Sequence, residues 1–325
     1  MPFFQVPQSY NQFETSDARD PPNVKLTPHL DRQTFACFPT TNRRFSSASQ
    51  DLSNCENPDC FFLTVPIAYR DMDSVVLSKV SKRFGTVVAV DNADLNVQDG
   101  EFLVVLGESG CGKTTMLRLI TGLEDPDSGT IFIGGQPVND VPVGKRGAQM
   151  IFQHYALWPH MRVFDDRSYT NLTFPLRIRK WSQDRIRDFL HPLAHKLGIE
   201  ETFFRRKPAE LSAGQQQRVA LGRAMTTAPR VLLMDEPLSN LDPASRIKMR
   251  DEVLRFHRDQ RLTTIYVTHN LPEALALGDR IAVMRAGRFE QVDKPEALMR
   301  YPANDYVADF FRASELRLKS TLMPN

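Results

Sequence analysis

Gly107-Glu108-Ser109-Gly110-Cys111-Gly112-Lys113-Thr114 decides the fold. The stretch fits the pattern G-x-x-x-x-G-K-[ST]. The stretch from Glu101 to Leu106, apolar after its first residue, precedes it and reads as a strand. A helical run from Lys113 to Thr121 follows it. In such a strand–loop–helix unit the glycines let successive backbone N–H groups turn toward phosphates, and the helix points its positive end at them. Lys113 is placed to reach the β- and γ-phosphates of a nucleotide, and Thr114 to ligate Mg²⁺.

Outward from this loop, strands and helices alternate, which predicts an α/β domain. Val87–Leu95, Thr263–Thr268 and Ile281–Met284 read as further strands. Val231-Leu232-Leu233-Met234 is a short unbroken apolar run, the mark of a strand buried on both faces. Residues 158–227 read as mainly helical. Within them Ile186, Phe189, Leu190, Leu193 and Leu197 share one helical face, with Ser182 as the cap, Gly198 as the stop and Pro192 as a kink or break.

The first 72 residues differ from the rest. They hold no glycine, eight of the 22 prolines and three of the four cysteines. No helical or strand period is sustained there, so 1–72 are expected to form a largely unfolded extension, although eight phenylalanines argue against complete disorder. Met72 is a candidate start of translation. The domain is expected over 73–312, with a short tail at 313–325. His29, Cys37, Cys55 and Cys60 match no paired zinc-ligand spacing. With 41 basic and 39 acidic residues the formal net charge is +2, which gives no reason to expect nucleic acid as a partner. No apolar run reaches the ~18 residues of a membrane span, and no secretion signal is visible. Four cysteines fit a reducing compartment.

Asp235 and Glu236 end the apolar run at 231–234, about 120 residues after the glycine loop. Two acids at a strand tip suit two tasks: Asp235 to hold Mg²⁺ and Glu236 to act as general base on water. Gln153 and His269 each follow a short apolar strand. A glutamine can orient water and touch Mg²⁺, and a histidine can hydrogen-bond a γ-phosphate. Leu211-Ser212-Ala213-Gly214-Gln215 opens another helix. Its serine hydroxyl and free N–H groups can make a second anion site, which would imply a nucleotide presented by a second subunit; taken alone, an ordinary serine N-cap explains the stretch better.

The order of the glycine loop, Gln153, Leu211–Gln215, Asp235-Glu236 and His269 resembles the nucleotide-binding subunit of an ATP-binding cassette transporter, over about residues 75–312. The strings Lys82-Arg83-Phe84-Gly85, Phe152 to Met161, Leu233 to Asp242 and Tyr266-Val267-Thr268-His269 resemble the ATPases of binding-protein-dependent importers, especially those for sugars and glycerol phosphate. The resemblance implies a P-loop NTPase (RecA-like) core with an antiparallel β subdomain and a helical subdomain carrying Ser212. It implies that ATP is held by Phe84, Gly107, Ser109, Gly110, Cys111, Gly112, Lys113, Thr114 and Thr115, and by Ser212, Gly214, Gln215 and Asp242. Thr114, Gln153 and Asp235 would hold Mg²⁺, with Glu236, His269 and Gln153 catalytic. It further implies a homodimer, integral membrane permease subunits met by Tyr155 to Met161, a solute-binding protein acting indirectly, and a place on the cytoplasmic face of the membrane. A soluble cassette ATPase or a weakly active nucleotide sensor is the alternative.

Three departures stand out. Ala213 replaces the family's usual glycine, and its methyl is expected to crowd an approaching phosphate and reduce activity. Asp166-Arg167-Ser168-Tyr169-Thr170 are extra relative to the family pattern. The C-terminal β domain usual in the sugar-importer group is not visible after Phe311.

Overall fold

The computed structural model describes residues 74–312. The candidate extension, the Met72 start, the four possible zinc ligands and the tail lie outside the described residues.

Two sheets organise the chain. The first is antiparallel, in the order β2-β1-β4-β5, built from β1 (Val75–Phe84), β2 (Val87–Val97), β4 (Ser128–Ile133) and β5 (Gln136–Pro137). The second has the order β10-β9-β3-β8-β7-β6. It comprises β3 (Phe102–Leu106), β6 (Ala148–Ile151), β7 (Val231–Asp235), β8 (Thr263–Thr268), β9 (Arg280–Arg285) and β10 (Arg288–Asp293). Neighbours from β9 to β6 run parallel, and β10 returns antiparallel along β9.

The central strands are buried on both faces, and their residues sort by parity. Phe102, Val104 and Leu106 of β3 enter one apolar cluster, while Leu103 and Val105 enter the other. Leu232 and Met234 of β7 divide from Val231 and Leu233 in the same way. This is the two-residue period of a strand with both sides covered. Each such side chain withdrawn from water contributes about 1.5–3 kcal/mol.

Helix α1 (Lys113–Thr121) supplies Met116, Leu117, Leu119 and Ile120 to the cluster it shares with the antiparallel sheet. The opposite face carries α2 (Phe174–Ile178), α3 (Gln183–Lys196), α4 (Glu201–Phe204), α5 (Ala213–Met225), α6 (Pro243–Gln260) and α7 (Leu271–Leu277). α8 (Pro295–Arg300) follows β10.

Two expectations change. Residues 158–173 form turns and irregular chain in place of helix. Here Asn171, fully buried, does the organising: its amide donates to the carbonyls of Trp158 and Met161 at 3.1 Å each, and its Oδ1 accepts from Trp158 N at 2.9 Å. One side chain thus satisfies backbone groups that a helix would have paired internally. Pro192 does not divide α3, which runs unbroken from Gln183 to Lys196 with Ser182 capping it. Ile186, Leu190 and Leu193 anchor that helix on its buried face, and this packing tolerates the lost N–H. Among the described residues no helix is long and apolar enough to cross a membrane.

Candidate functional site: a phosphate loop at the strand ends

The parallel strands deliver the candidate residues to one end of the sheet. β3 ends at the glycine loop, β7 at Asp235-Glu236 and β8 just before His269. Ligands of open α/β sheets collect outside the carboxyl ends of the strands.

The loop is shaped by glycines in left-handed geometry. Gly110 has φ +82° and Gly112 has φ +109°. A Cβ on Gly112 would also strike the Ala89 carbonyl of β2. Lys113, only 5% exposed, turns its ammonium back into the loop and donates to the carbonyls of Gly107 at 2.8 Å and Glu108 at 2.7 Å. The loop therefore holds a buried ammonium against its own carbonyls. Ser109 and Gly110 lie exposed at its tip. Burial pushes the Cys111 thiol up in pKa, against the opposing pull of Lys113.

Thr114 Oγ1 donates to Asp235 Oδ1 at 2.9 Å, which joins the start of α1 to the end of β7. Asp235 is 7% exposed. Burial raises its pKa, with Glu236 adding to the rise and the Thr114 bond, Arg118 and Lys113 opposing it. A hydroxyl and a buried carboxylate side by side are hard oxygen donors, the set Mg²⁺ takes when phosphate and water complete its shell. Among the described residues no cluster of three or more His, Cys, Asp or Glu side chains forms a dedicated metal cage. The donors present fit Mg²⁺ brought with a phosphate.

Glu236 has φ +44°, an uncommon conformation for a side-chain-bearing residue. Its amide donates to Val267 O at 3.0 Å, and its carbonyl accepts from Ser239 Oγ at 2.8 Å. Backbone pinned on both sides turns the carboxylate toward His269, whose Nδ1 lies 3.0 Å from Glu236 Oε2. Gln153 is drawn in through Ser239, its Nε2 donating to Ser239 Oγ at 3.4 Å, while Asn240 Nδ2 donates to the Gln153 carbonyl at 2.9 Å. Ser239 and Asn240 are organising residues that sequence reasoning passed over. Their signal was adjacency, since both follow Glu236 within the quoted string.

The remaining candidates lie apart from this corner. Phe84 is 46% exposed, with the Lys82 ammonium 5.4 Å from its ring centre. Asp242 caps α6 by accepting from Ala244 N at 3.1 Å and Ser245 N at 3.0 Å, and hydrogen bonds from Ser245 hold its carboxyl below the usual range. Ser212 is exposed and caps α5: its Oγ accepts from Gln215 N at 3.3 Å, while Gln215 Oε1 accepts from Ser212 N at 2.9 Å. The Gln215 side chain is thereby engaged in the cap. Gly214 is half-buried, its Cα facing Met249. Ala213 packs partly against the large apolar cluster, which turns some of its methyl away from the open side.

The extra segment 166–170 is ordered by its neighbours. Arg177 donates to the carbonyls of Asp166 and Ser168, and Thr173 Oγ1 donates to Ser168 O at 2.7 Å. Ser168, Tyr169 and Thr170 line a cleft of about 390 Å³ together with His160, Met161 and Arg162.

The ABC transporter family profile matches residues 90–239. A dimeric ATP-binding cassette solved in a post-hydrolysis state with ADP and phosphate is 31% identical, superposes with a TM-score of 0.59, and covers 68% of this chain and 98% of its own. This chain belongs to the ATP-binding cassette family. Among relatives of this cassette, the trehalose/maltose import ATP-binding protein MalK of Thermococcus litoralis is 50% identical over 245 residues. The osmoprotective compounds uptake ATP-binding protein GgtA of Synechocystis is 49% identical over 239 residues. Each match covers 74% of this chain and 64% of the relative, so the chain spans just under two thirds of the length of these relatives.

Proposed function

We propose that this chain binds and hydrolyses ATP to energise a binding-protein-dependent importer of a small, sugar-like solute. The observation that carries the reading is the corner itself, where Thr114 meets Asp235 and His269 meets Glu236 at the mouth of a glycine loop. The named roles of the relatives, import of trehalose and maltose and uptake of osmoprotective compounds, support the solute class.

In this reading Lys113 leaves the loop carbonyls for the β- and γ-phosphates, an exchange of one set of oxygen acceptors for a charged and stronger one. Phe84 stacks on the adenine. Thr114, Asp235 and Gln153 hold Mg²⁺, which when bound neutralises charge on the phosphate oxygens. Glu236 takes a proton from the attacking water. His269, oriented by Glu236, donates to the γ-phosphate. Catalysis is then mostly positioning and charge stabilisation.

Ser212, Gly214 and the neighbouring amides serve the nucleotide of a second copy, with Ser212 exposed at the start of α5. Asp242, capping α6 one segment after Glu236, belongs to the same dimer face. The half-buried Ala213 methyl makes the loss of activity from this substitution a modest one. The working unit is residues 73–312, set on permease subunits at the cytoplasmic face through Tyr155 to Met161, with segment 166–170 widening that surface.

Copurification from membranes together with ATP turnover tests the reading. Mg²⁺-dependent phosphate release from a chain that is recovered with integral membrane subunits is the expected result. A chain that turns over ATP but never associates with membrane subunits overturns the importer role.

A further inference from the structure

Behind His269 lies a buried carboxylate that the catalytic scheme does not use. Glu273, on the first turn of α7, is 6% exposed. Its Oε2 accepts from the Tyr266 hydroxyl at 2.9 Å and from Thr268 Oγ1 at 2.9 Å. Thr268 Oγ1 in turn accepts from Asn270 N at 3.0 Å, and Asn270 Oδ1 accepts from Glu273 N at 3.1 Å. The residues on both sides of His269 are therefore tied to one residue, Thr268 to its carboxylate and Asn270 to its amide. Tyr266 is fully buried, and burial together with Glu273 holds its pKa well above the ordinary phenol value, so it remains a donor.

The other carboxylate oxygen faces a different element. Arg246, on the first turn of α6, places its buried Nε 3.8 Å from Glu273 Oε1. The same guanidinium donates through Nη2 to the carbonyl of Leu241 at 3.0 Å, and the Arg246 amide donates to Asp242 O at 2.8 Å. Leu241-Asp242 is the corner that carries the chain from Glu236 into α6. One carboxylate thus spans two segments that share no backbone ladder.

We propose that Glu273 is a positioning residue that sets the His269 ring for its contact with Glu236, and that Arg246 makes this setting depend on the Leu241–Asp242 corner. The proposal rests on the ATPase reading above. A helix cap alone would need only the Asn270–Glu273 amide bond. A buried acid that also accepts from Tyr266 and Thr268 and faces a guanidinium at 3.8 Å is costlier than an apolar residue of the same size unless every partner is held. Movement of residues 241–242 would then reach His269 through side chains that have few alternative partners.

The test uses the full chain and two substitutions. Glu273→Gln keeps the shape and an acceptor but removes the charge facing Arg246. Arg246→Met keeps the stem and removes both the facing charge and the bond to Leu241. Each is expected to lower kcat by ~10-fold or more, the scale of a displaced catalytic group, with ATP affinity retained. The double variant is expected to be no slower than the worse single one, because both break the same strut. Unchanged kcat in both, or multiplicative losses in the double, overturns the proposal. Ring NMR signals of His269 in the nucleotide-free protein, assigned by their loss in His269→Ala, give a readout without turnover. They are expected to shift in both variants, and unshifted signals in both overturn the proposal. A wild-type chain that fails to hydrolyse ATP while these signals do shift counts against the ATPase reading and leaves the strut standing.

Discussion

Glu236→Gln separates binding from chemistry because the backbone holds this residue independently of its charge. The Glu236 amide is bonded to Val267 O at 3.0 Å, and its carbonyl accepts from Ser239 N at 3.2 Å and Ser239 Oγ at 2.8 Å. A left-handed non-glycine residue costs roughly 1–3 kcal/mol, and that strain is the same for glutamate and glutamine. The amide of glutamine also still reaches His269 across the 3.0 Å contact. Fold and nucleotide affinity are therefore expected to survive. What is lost is the proton acceptor, which contributes ~10²- to 10⁴-fold, or about 3–5.5 kcal/mol of barrier. Phosphate release under saturating ATP and Mg²⁺ measures the rate, and titration with a fluorescent ATP analogue measures binding. With hydrolysis blocked, the paired form accumulates and is seen as a dimer by size-exclusion in ATP. A variant that releases phosphate within tenfold of wild type refutes the base assignment. One that binds ATP yet stays monomeric refutes the shared nucleotide site.

Lys113→Ala removes the buried cation of the loop and orphans the Gly107 and Glu108 carbonyls it satisfies; ATP binding is expected to fall below detection by titration calorimetry. Gly112→Ala must accept φ +109° and a collision with the Ala89 carbonyl, a cost of about 3 kcal/mol expected to lower the thermal midpoint by roughly 6–12 °C. Asp235 has a folded pKa above its ordinary 3.8 because burial disfavours the charged form. The folded chain therefore binds more protons than the unfolded one between those two values, and stability falls as pH rises through that window. Melting curves without divalent cation are expected to show this loss, Mg²⁺ with nucleotide to reduce it, and Asp235→Asn to flatten it.

The corner was legible in the sequence to an unusual degree, because its parts are strand ends. A parallel strand buried on both faces is a short apolar run, and the polar residue that ends it must sit at the rim where ligands bind. Val231–Met234 followed by Asp235 and Glu236, and Ile265–Val267 followed two residues on by His269, therefore announce both a strand and a candidate site residue. α1 was visible for the same reason, its start fixed by the glycine loop. α6 was not. Of its 18 residues only Met249, Val253, Phe256 and His257 are buried, too thin an apolar stripe among charged residues to register as a period. Its start signal, Asp242 before Pro243, was absorbed into a functional reading of Asp242. Residues 158–173 failed in the opposite direction, since their apolar residues pack through the buried Asn171 amide, whose three-carbonyl bonding has no sequence period.

Ser212 shows where a single chain stops informing. Its hydroxyl accepts from Gln215 N, and Gln215 Oε1 accepts from Ser212 N, a reciprocal cap that would be sufficient reason for both residues. The cap does not exhaust the helix start, however. The first turn of a helix has N–H groups without intrahelical acceptors, and this cap occupies only that of Gln215. The amides of Ala213 and Gly214 remain, together with the Ser212 hydroxyl proton, since the hydroxyl acts in the cap only as an acceptor. Three donors at the positive end of α5, beside the exposed Ser212, suit a phosphate as well as they suit water. The choice between them belongs to whatever covers this face. For that reason dimerisation of the Glu236→Gln chain in ATP, and its loss when Ser212→Ala is added, decides the role of this helix.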